Sequence, residues 1–461
     1  MHHRITQVRH RFYILTCLIA SMFTLVNCGG SDDNTEPPNK SATIENVAPG
    51  ENTLVKDGNT ILLSADVTDD FGVAKVEFLI DGIVVGQAIA TPYEVEWTPS
   101  ESGHYILSVR ATDTDGATTN SGVMNFTAVG FSCTEEQTCD AFVAKEAAQV
   151  VIAFYPSWKI SQYPVNDIPF NKLTHVIYSF AVPVEHGELN TSDVDGEIDN
   201  LVTKAHAAGV KVFFSIGGAG SSDPFAGIAV KERDRALFVD RVKCYIKNHC
   251  LDGVDIDWEH WNGTDNTIAA ESNGLVSLLT DLRSTLDNDI EISTDVFASN
   301  WFGKHYYDGI VSQVTYINTM LYDLRGPWSE EGPHSSYAEL ITDGTSTSSI
   351  ESWGLKYWNG YRDWPVEKTV IGMPFYGRDF AVNNGDIVDY NTIVTRVQAA
   401  SGDLNADKFQ RTYYDGPTTA AKKAAYARDN GYAGVMFWEL TGDTKAESTS
   451  LLEAIHNELN D

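Results

Sequence analysis

The stretch LDGVDIDWEH, residues 251–260, alternates two kinds of side chain. Carboxylates stand at every second position, at Asp255, Asp257 and Glu259. The side chains that alternate with them are large and apolar: Val254, Ile256 and Trp258. Successive side chains of a β-strand point to opposite faces. The pattern therefore predicts a strand with one acidic face and one apolar face.

Three interpretations of this strand compete. An exposed strand would place the acids in water, but Trp258 would then lack the cover that parallel α/β sheets provide on both faces. A calcium-binding loop needs Gly at its sixth position, Glu at its twelfth and a polar turn between them, whereas this stretch carries large apolar residues. We favour a barrel strand whose acids point inward. Glu259 then lies at the C-terminal end, where the active sites of such barrels are found.

Composition limits the classes of partner. The chain has 461 residues, 43% of them hydrophobic, which is enough for more than one globular domain. Asp and Glu number 64 against 32 Lys and Arg, for a net charge of −32. Such a surface repels nucleic acid and anionic membranes and is compatible with a neutral polymer as substrate. No pattern in the sequence requires a metal or a cofactor, and we expect a monomer.

From Val150 to the C-terminus, apolar runs alternate with amphipathic helical stretches, which is typical of βα units around a parallel sheet. The eight apolar runs are VVIAFYPSW, LTHVIYSFAV, VKVFFSIGG, LDGVDIDWEH, IEISTDVFAS, VTYINTMLYD, TVIGMPFYGR and YAGVMFWEL. Helices are predicted between most of them, for example at 231–249, 271–287 and 418–430, and a last helix is predicted at 448–459. The prediction is an α/β fold, a (β/α)8 TIM barrel over residues 150–461.

Several motifs in this region carry a family resemblance. LDGVDIDWEH resembles the DGxDxDxE signature of family-18 glycoside hydrolases, the chitinase family. Four other stretches at predicted strand ends match the same family: FYPSW (154–158), SIGG (215–218), MLYD (320–323) and FWEL (437–440). The resemblance covers the whole second domain and implies a glycoside hydrolase.

The resemblance assigns roles around a glycosidic bond. Glu259 is the general acid that protonates the leaving oxygen. The nucleophile in this family is the 2-acetamido group of the substrate, so Asp257 is implied to orient its N–H and to stabilise the oxazolinium ion. Asp255 supports Asp257 from below, and Tyr322 donates its hydroxyl to the acetamido carbonyl. Because the three acids are crowded, we expect them to titrate as a coupled set.

Further substrate-binding residues are implied by the other motifs. Asp323 and Met320 line the same subsite, and Trp438 forms its apolar floor. Three more are carried over from the family: Tyr155, Phe180 and Arg378. The two aromatic residues among these also fit a role in core packing. Outside the motifs, Trp328 is our choice for a ring that stacks on sugar beyond the central subsite.

The N-terminal third contains other units. Residues 1–27 are predicted to be a lipoprotein-type signal peptide, with Cys28 as the lipidated residue, although ordinary secretion is an alternative. Residues 28–40 form a predicted flexible tether. Residues 41–129 show short alternating strands and an Asp81-Gly82 hairpin turn, which predict an all-β sandwich similar to bacterial immunoglobulin-like modules. A spacer is the favoured role for it, with carbohydrate binding as the alternative, and residues 130–149 are a linker.

Four cysteines lie beyond Cys28 and form two close pairs in sequence. An exported protein meets an oxidising compartment, so we expect local disulfides Cys133–Cys139 and Cys244–Cys250. Zinc binding is the alternative, but neither a CxxC pair nor a His-rich spacing accompanies them.

The sequence thus predicts an exported chitinase at the cell surface or outer membrane, anchored by lipid or otherwise secreted. It would hydrolyse β-1,4 bonds of chitin or N-acetylglucosamine oligosaccharides with retention. The connection Asp379–Asn430 looks too short for the large α+β insertion of some relatives, which predicts an open cleft and internal cutting. The alternatives are an endo-β-N-acetylglucosaminidase acting on N-glycans and a non-catalytic chitin-binding lectin. Such lectins usually lack the acid that Glu259 provides.

Overall fold

The structure is a computed structural model that describes residues 39–56, 60–100, 103–129, 133, 139–261, 267–342 and 353–460. The predicted signal peptide, the lipidation candidate Cys28 and residues 29–38 of the tether lie outside the described residues. In the described part of the chain, no helix has both the length and the apolar character that crossing a membrane requires.

The first domain is a β-sandwich with nine strands among its described residues. They are β1 Thr43–Ala48, β2 Thr53–Lys56, β3 Ile61–Thr68, β4 Val73–Ile80, β5 Ile83–Ala88, β6 Tyr93–Trp97, β7 Gly103–Asp113, β8 Thr118–Asn120 and β9 Met124–Val129. One sheet has the order β1-β3-β6, and the other has the order β2-β9-β7-β4-β5 with β8 beside β7. The predicted turn joins β4 to β5, where Ile80 pairs with Ile83.

The alternation along β6 places its aromatic residues against the sandwich core. Tyr93 is buried there, and Trp97 packs against the same cluster. The Trp97 ring meets the edges of Tyr105 and Phe126, with centroids 5.1 and 6.0 Å apart. The tryptophan therefore contributes to packing, which favours the spacer interpretation of this domain.

The second domain contains the remaining strands. They are β10 Val150–Pro156, β11 His175–Val184, β12 Glu188–Asn190, β13 Lys211–Gly217, β14 Gly253–Asp257, β15 Glu291–Phe297, β16 Tyr316–Met320, β17 Thr369–Pro374, β18 Tyr376–Asp379, β19 Asp386–Asp389, β20 Lys408–Phe409, β21 Thr412–Tyr413 and β22 Gly434–Trp438. The parallel barrel strands are β10, β11, β13, β14, β15, β16, β17 and β22. Strand β10 pairs with β11 on one side and with β22 on the other, which closes the barrel. These are the eight runs that the sequence predicts, and the TIM-barrel prediction is confirmed.

Helices surround the barrel. They are α1 Ile198–Ala207, α2 Phe225–Val230, α3 Glu232–His249, α4 Ile268–Thr285, α5 Asn300–Gly303, α6 Tyr390–Ala399, α7 Pro417–Asp429 and α8 Leu451–Asn460. The connection from β10 to β11 forms short 3₁₀ turns in place of an α-helix. Pro164 and Pro169 directly precede two of these turns, and proline cannot continue a helix that it interrupts.

The barrel strands separate two apolar cores. The inner core is small: Ile152, Phe154, Ile177, Phe213, Met320, Val370 and Met436. The outer core lies between strands and helices and includes the apolar residues of β14 and its continuation: Val254, Ile256 and Trp258. The outer face of β14 is thus filled by apolar packing, so its acids point into the barrel, as the alternation predicts.

Two disulfide bonds tie the linker to the barrel. Cys133 bonds to Cys244 and Cys139 bonds to Cys250, each across 111 residues. The predicted local pairs are therefore wrong. Cys244 lies in α3 and Cys250 directly follows that helix, and six helical residues advance about 9 Å, too far for a disulfide. The linker instead lies beside the end of α3, with Cα separations of 5.1 and 5.4 Å.

The connection between β17 and β22 is more structured than the sequence predicts. Besides α7 it holds a compact α+β unit, in which β18–β21 form an antiparallel sheet of order β19-β18-β21-β20 next to α6. The unit matters for the site because β18 directly follows the C-terminal end of β17 and carries Tyr376 and Arg378.

Candidate active site

The alternating acids of β14 meet inside the barrel at its C-terminal end. Asp255 and Asp257 are buried, whereas Glu259 lies two residues past the strand and is partly exposed. Each step of two residues along the strand moves the side chain about 7 Å toward the mouth. The three carboxyl groups therefore form a row from the barrel interior to solvent.

Asp255 forms the bottom of this row and accepts hydrogen bonds from neighbouring strands. The Oγ atoms of Ser215 on β13 and Ser293 on β15 each donate to it at 2.6 Å. Asn318 Nδ2 on β16 donates at 3.3 Å. Burial raises the pKa of Asp255 above its usual range, and hydrogen bonds with Asp295 and with these three side chains offset part of the rise by stabilising the ionised form. Asp255 is thus a fixed acceptor, which suits the supporting role that the resemblance assigns.

Asp257 is the middle member of the row and is buried with an unsatisfied oxygen. Its Oδ1 has no hydrogen-bond partner among the described residues. Burial, followed by the charges of Glu259 and Asp255, raises the pKa of Asp257 well above its usual range. A buried polar atom without a partner is costly unless a ligand satisfies it. The oxygen can accept a hydrogen bond from a ligand N–H at the barrel mouth.

Glu259 has the protonation behaviour of a general acid. The Ser222 Oγ fixes its backbone by accepting from the N–H groups of Glu259 and His260 at 3.2 and 2.9 Å. Burial and the charge of Asp323 raise the pKa of Glu259 to about 7, against a lowering hydrogen bond from the Ala219 backbone. At neutral and mildly acidic pH the side chain therefore holds a proton that it can give to a leaving oxygen.

Two glycines of the SIGG motif permit the close approach of β13 to this row. A side chain at Gly217 would collide with the backbone of Asp257, and one at Gly218 would meet the ring of Phe180. Both have positive φ, +115° and +85°, which favours glycine. The Gly218 N–H donates to the Asp257 carbonyl at 2.9 Å and so fixes the end of β14.

Asp323, the last residue of MLYD, is held as an anion. Arg378 bonds both its oxygens, with Nε–Oδ1 at 2.9 Å and Nη2–Oδ2 at 2.6 Å. The Tyr376 hydroxyl donates to Oδ1 at 2.8 Å. Burial raises the pKa of Asp323, but His334 and Arg378 outweigh burial and keep it below its usual range. Trp328 covers the guanidinium, 5.0 Å from its ring centroid. Arg378 therefore acts on Asp323, and Trp328 packs on Arg378, while sugar stacking by Trp328 stays a prediction.

Met320 and Tyr322 complete the site at the end of β16. Met320 belongs to the inner core, against which Tyr322 and Trp438 pack. Burial, followed by the negative charges of the site, raises the pKa of Tyr322 well above its usual range. The Tyr322 hydroxyl therefore stays protonated and can donate a hydrogen bond.

Aromatic rings cover another side of the mouth. Phe180 stacks on Trp438 with centroids 5.5 Å apart, and Trp158 packs against both at 6.1 and 6.2 Å. Phe154 meets the edge of Trp438 at 5.7 Å. Phe180 and Trp438 thus pack together at the mouth, and their flat apolar surfaces suit a sugar ring.

Tyr155 does not belong to the site, and its prediction as a substrate-binding residue is wrong. It is fully buried in the outer core, where its hydroxyl donates to the Tyr163 carbonyl at 2.6 Å and its ring stacks on Tyr178. Its neighbour Phe154 faces the site instead. Strand β10 is apolar on both faces, so the sequence offers no alternation from which to choose between the two aromatics.

The structure also brings to the site four residues that the sequence did not single out: Phe154, Asp295, His334 and Tyr376. Trp158 of the FYPSW motif joins them. Asp295 had a signal, since it is an acid in the middle of a predicted strand whose other acid, Glu291, stands at its start. His334 had none, because it comes from the loop after β16. Within the described residues, no group of three His, Cys, Asp or Glu side chains is arranged to hold a metal ion.

The fold and the site define a glycoside hydrolase on a parallel barrel, with a carboxylic acid at the mouth. The sequence profile of "Glycosyl hydrolases family 18" matches residues 150–443, and that of "Bacterial Ig domain" matches residues 43–120. The chain therefore belongs to glycosyl hydrolase family 18.

Individual proteins of known class are similar to it at low identity. A chitinase-like effector from Moniliophthora roreri is 28% identical over 257 residues, covering 53% of this chain and 62%, less than two thirds, of that relative. Chitinase C from Streptomyces lividans is 25% identical over 489 residues, covering 91% of this chain and 76% of the relative. The crystal structure of a chitinase from Bacteroides thetaiotaomicron has a TM-score of 0.59 at 26% identity, covering 68% of this chain and 96% of that one.

Proposed function

We propose that the protein is a chitinase that hydrolyses β-1,4 bonds between N-acetylglucosamine units. The observation that carries the proposal is the pair formed by Glu259, whose pKa is raised to about 7, and Asp257, which has a buried oxygen in need of a donor. An acid and a hydrogen-bond acceptor so placed suit a substrate that combines a glycosidic oxygen with an acetamido N–H. The similarity to chitinases supports the same substrate.

The reaction proceeds in two steps. Glu259 gives its proton to the leaving glycosidic oxygen while the acetamido carbonyl oxygen of the substrate attacks the anomeric carbon. Asp257 accepts the acetamido N–H and stabilises the positive charge of the oxazolinium ion, and Tyr322 donates to the acetamido oxygen. Glu259, now ionised, then takes a proton from water. The oxygen of that water attacks the anomeric carbon from the face that the leaving group occupied, and the oxazolinium ring opens. Two inversions give net retention.

Retention is tested by following the first products of chitotetraose hydrolysis by proton NMR. The proposal expects the β-anomer to appear first and to mutarotate afterwards. An initial α-anomer would overturn the substrate-assisted route, because direct attack by water inverts the configuration.

The substrate is tested by offering chitin oligomers and a high-mannose glycoprotein in parallel, with products identified by mass. Cleavage of the oligomers alone supports a chitinase. Release of the N-glycan with one N-acetylglucosamine left on the protein would identify an endo-β-N-acetylglucosaminidase. Binding of the oligomers without any cleavage would identify a lectin.

We further propose cutting within the polymer. Three exposed tryptophans follow different barrel strands, Trp158 after β10, Trp301 after β15 and Trp328 after β16, with 56%, 73% and 62% of their surface exposed. Exposed flat rings after three different barrel strands suit a chain that extends past the mouth in both directions. A product time course tests this, since disaccharide as the sole product from the first turnovers would contradict it.

Export with a lipid anchor at Cys28 is proposed on two grounds. The charged and then apolar N-terminus ends in LVNC, and the described cysteines are joined in two disulfides, which persist in oxidising compartments. Incorporation of labelled fatty acid into the wild type and its loss in Cys28→Ser would support the anchor. Release of unlabelled protein into the medium would support ordinary secretion.

A further inference from the structure

Asp295 is a fourth carboxylic acid inside the barrel. It lies on β15, whose register pairs Asp255 with Ser293 and Ile256 with the next residue, Thr294. Continued by one residue, this register puts Asp295 beside Asp257. On its other side Asp295 pairs with Asn318 of β16. The side chain is only 2% exposed, so solvent cannot screen its charge.

The carboxyl groups of Asp295 and Asp255 act on each other through a side-chain hydrogen bond that lowers the pKa of Asp255 and raises the pKa of Asp295. Two carboxylate anions cannot form such a bond, because neither has a proton to donate. One of the pair must therefore be protonated. Asp255 accepts from Ser215, Ser293 and Asn318, three donors that stabilise its charged form. Asp295 Oδ2 has no hydrogen-bond partner among the described residues. The charge is thus better placed on Asp255 and the proton on Asp295.

Three carboxyl groups of β14 and the residues after it act on the pKa of Asp295: Asp255, Asp257 and Glu259. The charge of Asp295 acts in turn on two tyrosines in the loops after β15 and β16, Tyr306 and Tyr322. All are acids, so they oppose a further negative charge. Burial, followed by the charges of Asp255 and Asp257, raises the pKa of Asp295 well above its usual range.

We propose that Asp295 is a positioning residue that stays protonated and donates its O–H to Asp255, holding Asp255 as the buried anion behind Asp257. This rests on the proposed function, because the role is exerted on the acids of the glycosidase reaction. With its acceptor sites occupied by four donors, Asp255 is not drawn toward Asp257. Asp257 is then left to turn its carboxyl group to the acetamido group of the substrate.

The kinetic test compares Asp295→Ala with Asp295→Asn on chitotetraose. The alanine removes the donor, so kcat should fall about tenfold with little change in KM. The acid limb of kcat/KM should also move to higher pH by roughly half a unit, because Asp255 ionises less readily. The asparagine keeps a donor of the same size that cannot ionise. It should therefore keep kcat within about threefold of the wild-type value and keep the acid limb at its wild-type pH. Thermal melting of both variants checks folding.

Two kinetic outcomes would overturn the proposal. If Asp295→Asn is as impaired as Asp295→Ala, an ionisable acid is required at this position and a permanently protonated donor is not the function. If Asp295→Ala keeps the wild-type kcat and pH profile, Asp295 has no positioning role. Inactivity of the wild type toward chitin oligomers would instead count against the proposed substrate.

A spectroscopic test needs no substrate. In protein labelled with ¹³C at the aspartate carboxyl carbon, the resonance missing from Asp295→Asn belongs to Asp295. It should keep the chemical shift of a protonated acid at neutral pH. An ionised shift at neutral pH would contradict the proposal whatever the enzyme's substrate is.

Discussion

Arg378 binds the carboxylate of Asp323 through a hydrogen bond from Nε at 2.9 Å and an ion-pair contact from Nη2 at 2.6 Å, and its guanidinium lies over the ring of Trp328. Arginine and carboxylate match each other's geometry in such a pair, which keeps the acid ionised. The charge on Asp323 in turn raises the pKa of Glu259. The α+β unit that carries Arg378 thus acts, through Asp323, on Glu259, the proposed general acid.

This relay predicts a change in pH dependence. Glu259 must be protonated to act, so the alkaline limb of kcat/KM should lie near its pKa of about 7. Asp323→Asn removes a negative charge, lowers the pKa of Glu259 and should shift that limb to lower pH by roughly half to one unit. Glu331→Gln is the control, because it removes an equal charge from an exposed pair with Arg411. If the alkaline limb of kcat/KM stays in place in Asp323→Asn, Asp323 does not set the pKa of Glu259.

Gly218 of the SIGG motif and Gly220, two residues beyond it, give a matched pair of variants. Gly218→Ala places a methyl group against the Phe180 ring at a φ of +85°. We expect it to lower stability by roughly 1–3 kcal/mol and to reduce kcat/KM, since Phe180 stacks on Trp438. Gly220→Ala, two residues further, meets open space and should change stability by less than about 0.5 kcal/mol. Equal effects in chemical denaturation would show that the close approach is unimportant.

The assignment of Phe154 in place of Tyr155 can be tested directly. Phe154→Ala should lower kcat/KM about tenfold, because it removes a ring that supports Trp438. Tyr155→Phe breaks only the hydrogen bond to the Tyr163 carbonyl and should cost about 1 kcal/mol of stability, with kcat/KM kept. The reverse pattern in steady-state kinetics would restore Tyr155 to the site.

The disulfide pairing predicts that the two bridges do not contribute additively to the free energy of unfolding. One crosslink over 111 residues stabilises by roughly 5 kcal/mol through chain entropy. With one bridge in place, the second closes only a short loop and adds about 3 kcal/mol. Replacing either pair, Cys133/Cys244 or Cys139/Cys250, by serine should therefore cost less than half of what replacing both costs, as measured by denaturant unfolding. Peptide mapping that finds the local pairs would contradict the connectivity.

Much of the fold could be predicted from local patterns. The eight barrel strands follow from apolar runs that alternate with helical stretches, and the inward direction of Asp255 and Asp257 follows from strict alternation within β14. Similar reasoning places Trp97 in the sandwich core. These features depend on neighbours in sequence, which is why a single chain reveals them.

The features that could not be predicted depend on partners distant in sequence or on an ambiguous strand face. The disulfides join a linker to a helix end, and the network around Asp323 draws on the loop after β16 and on β18. In β10 both faces are apolar, so the sequence does not show whether Phe154 or Tyr155 points into the barrel. Asp295 is visible in the sequence only as an acid in a predicted strand, and its interaction with Asp255 depends on the register between β14 and β15.

The central claim is that Glu259 delivers the proton that breaks the glycosidic bond, and its most direct test is the turnover of chitotetraose by Glu259→Gln. The glutamine has nearly the same shape but no acidic proton. We predict that kcat falls by about 10³-fold while the affinity for the oligosaccharide stays within about threefold of the wild type. A variant that keeps kcat within about tenfold of the wild type would contradict the account.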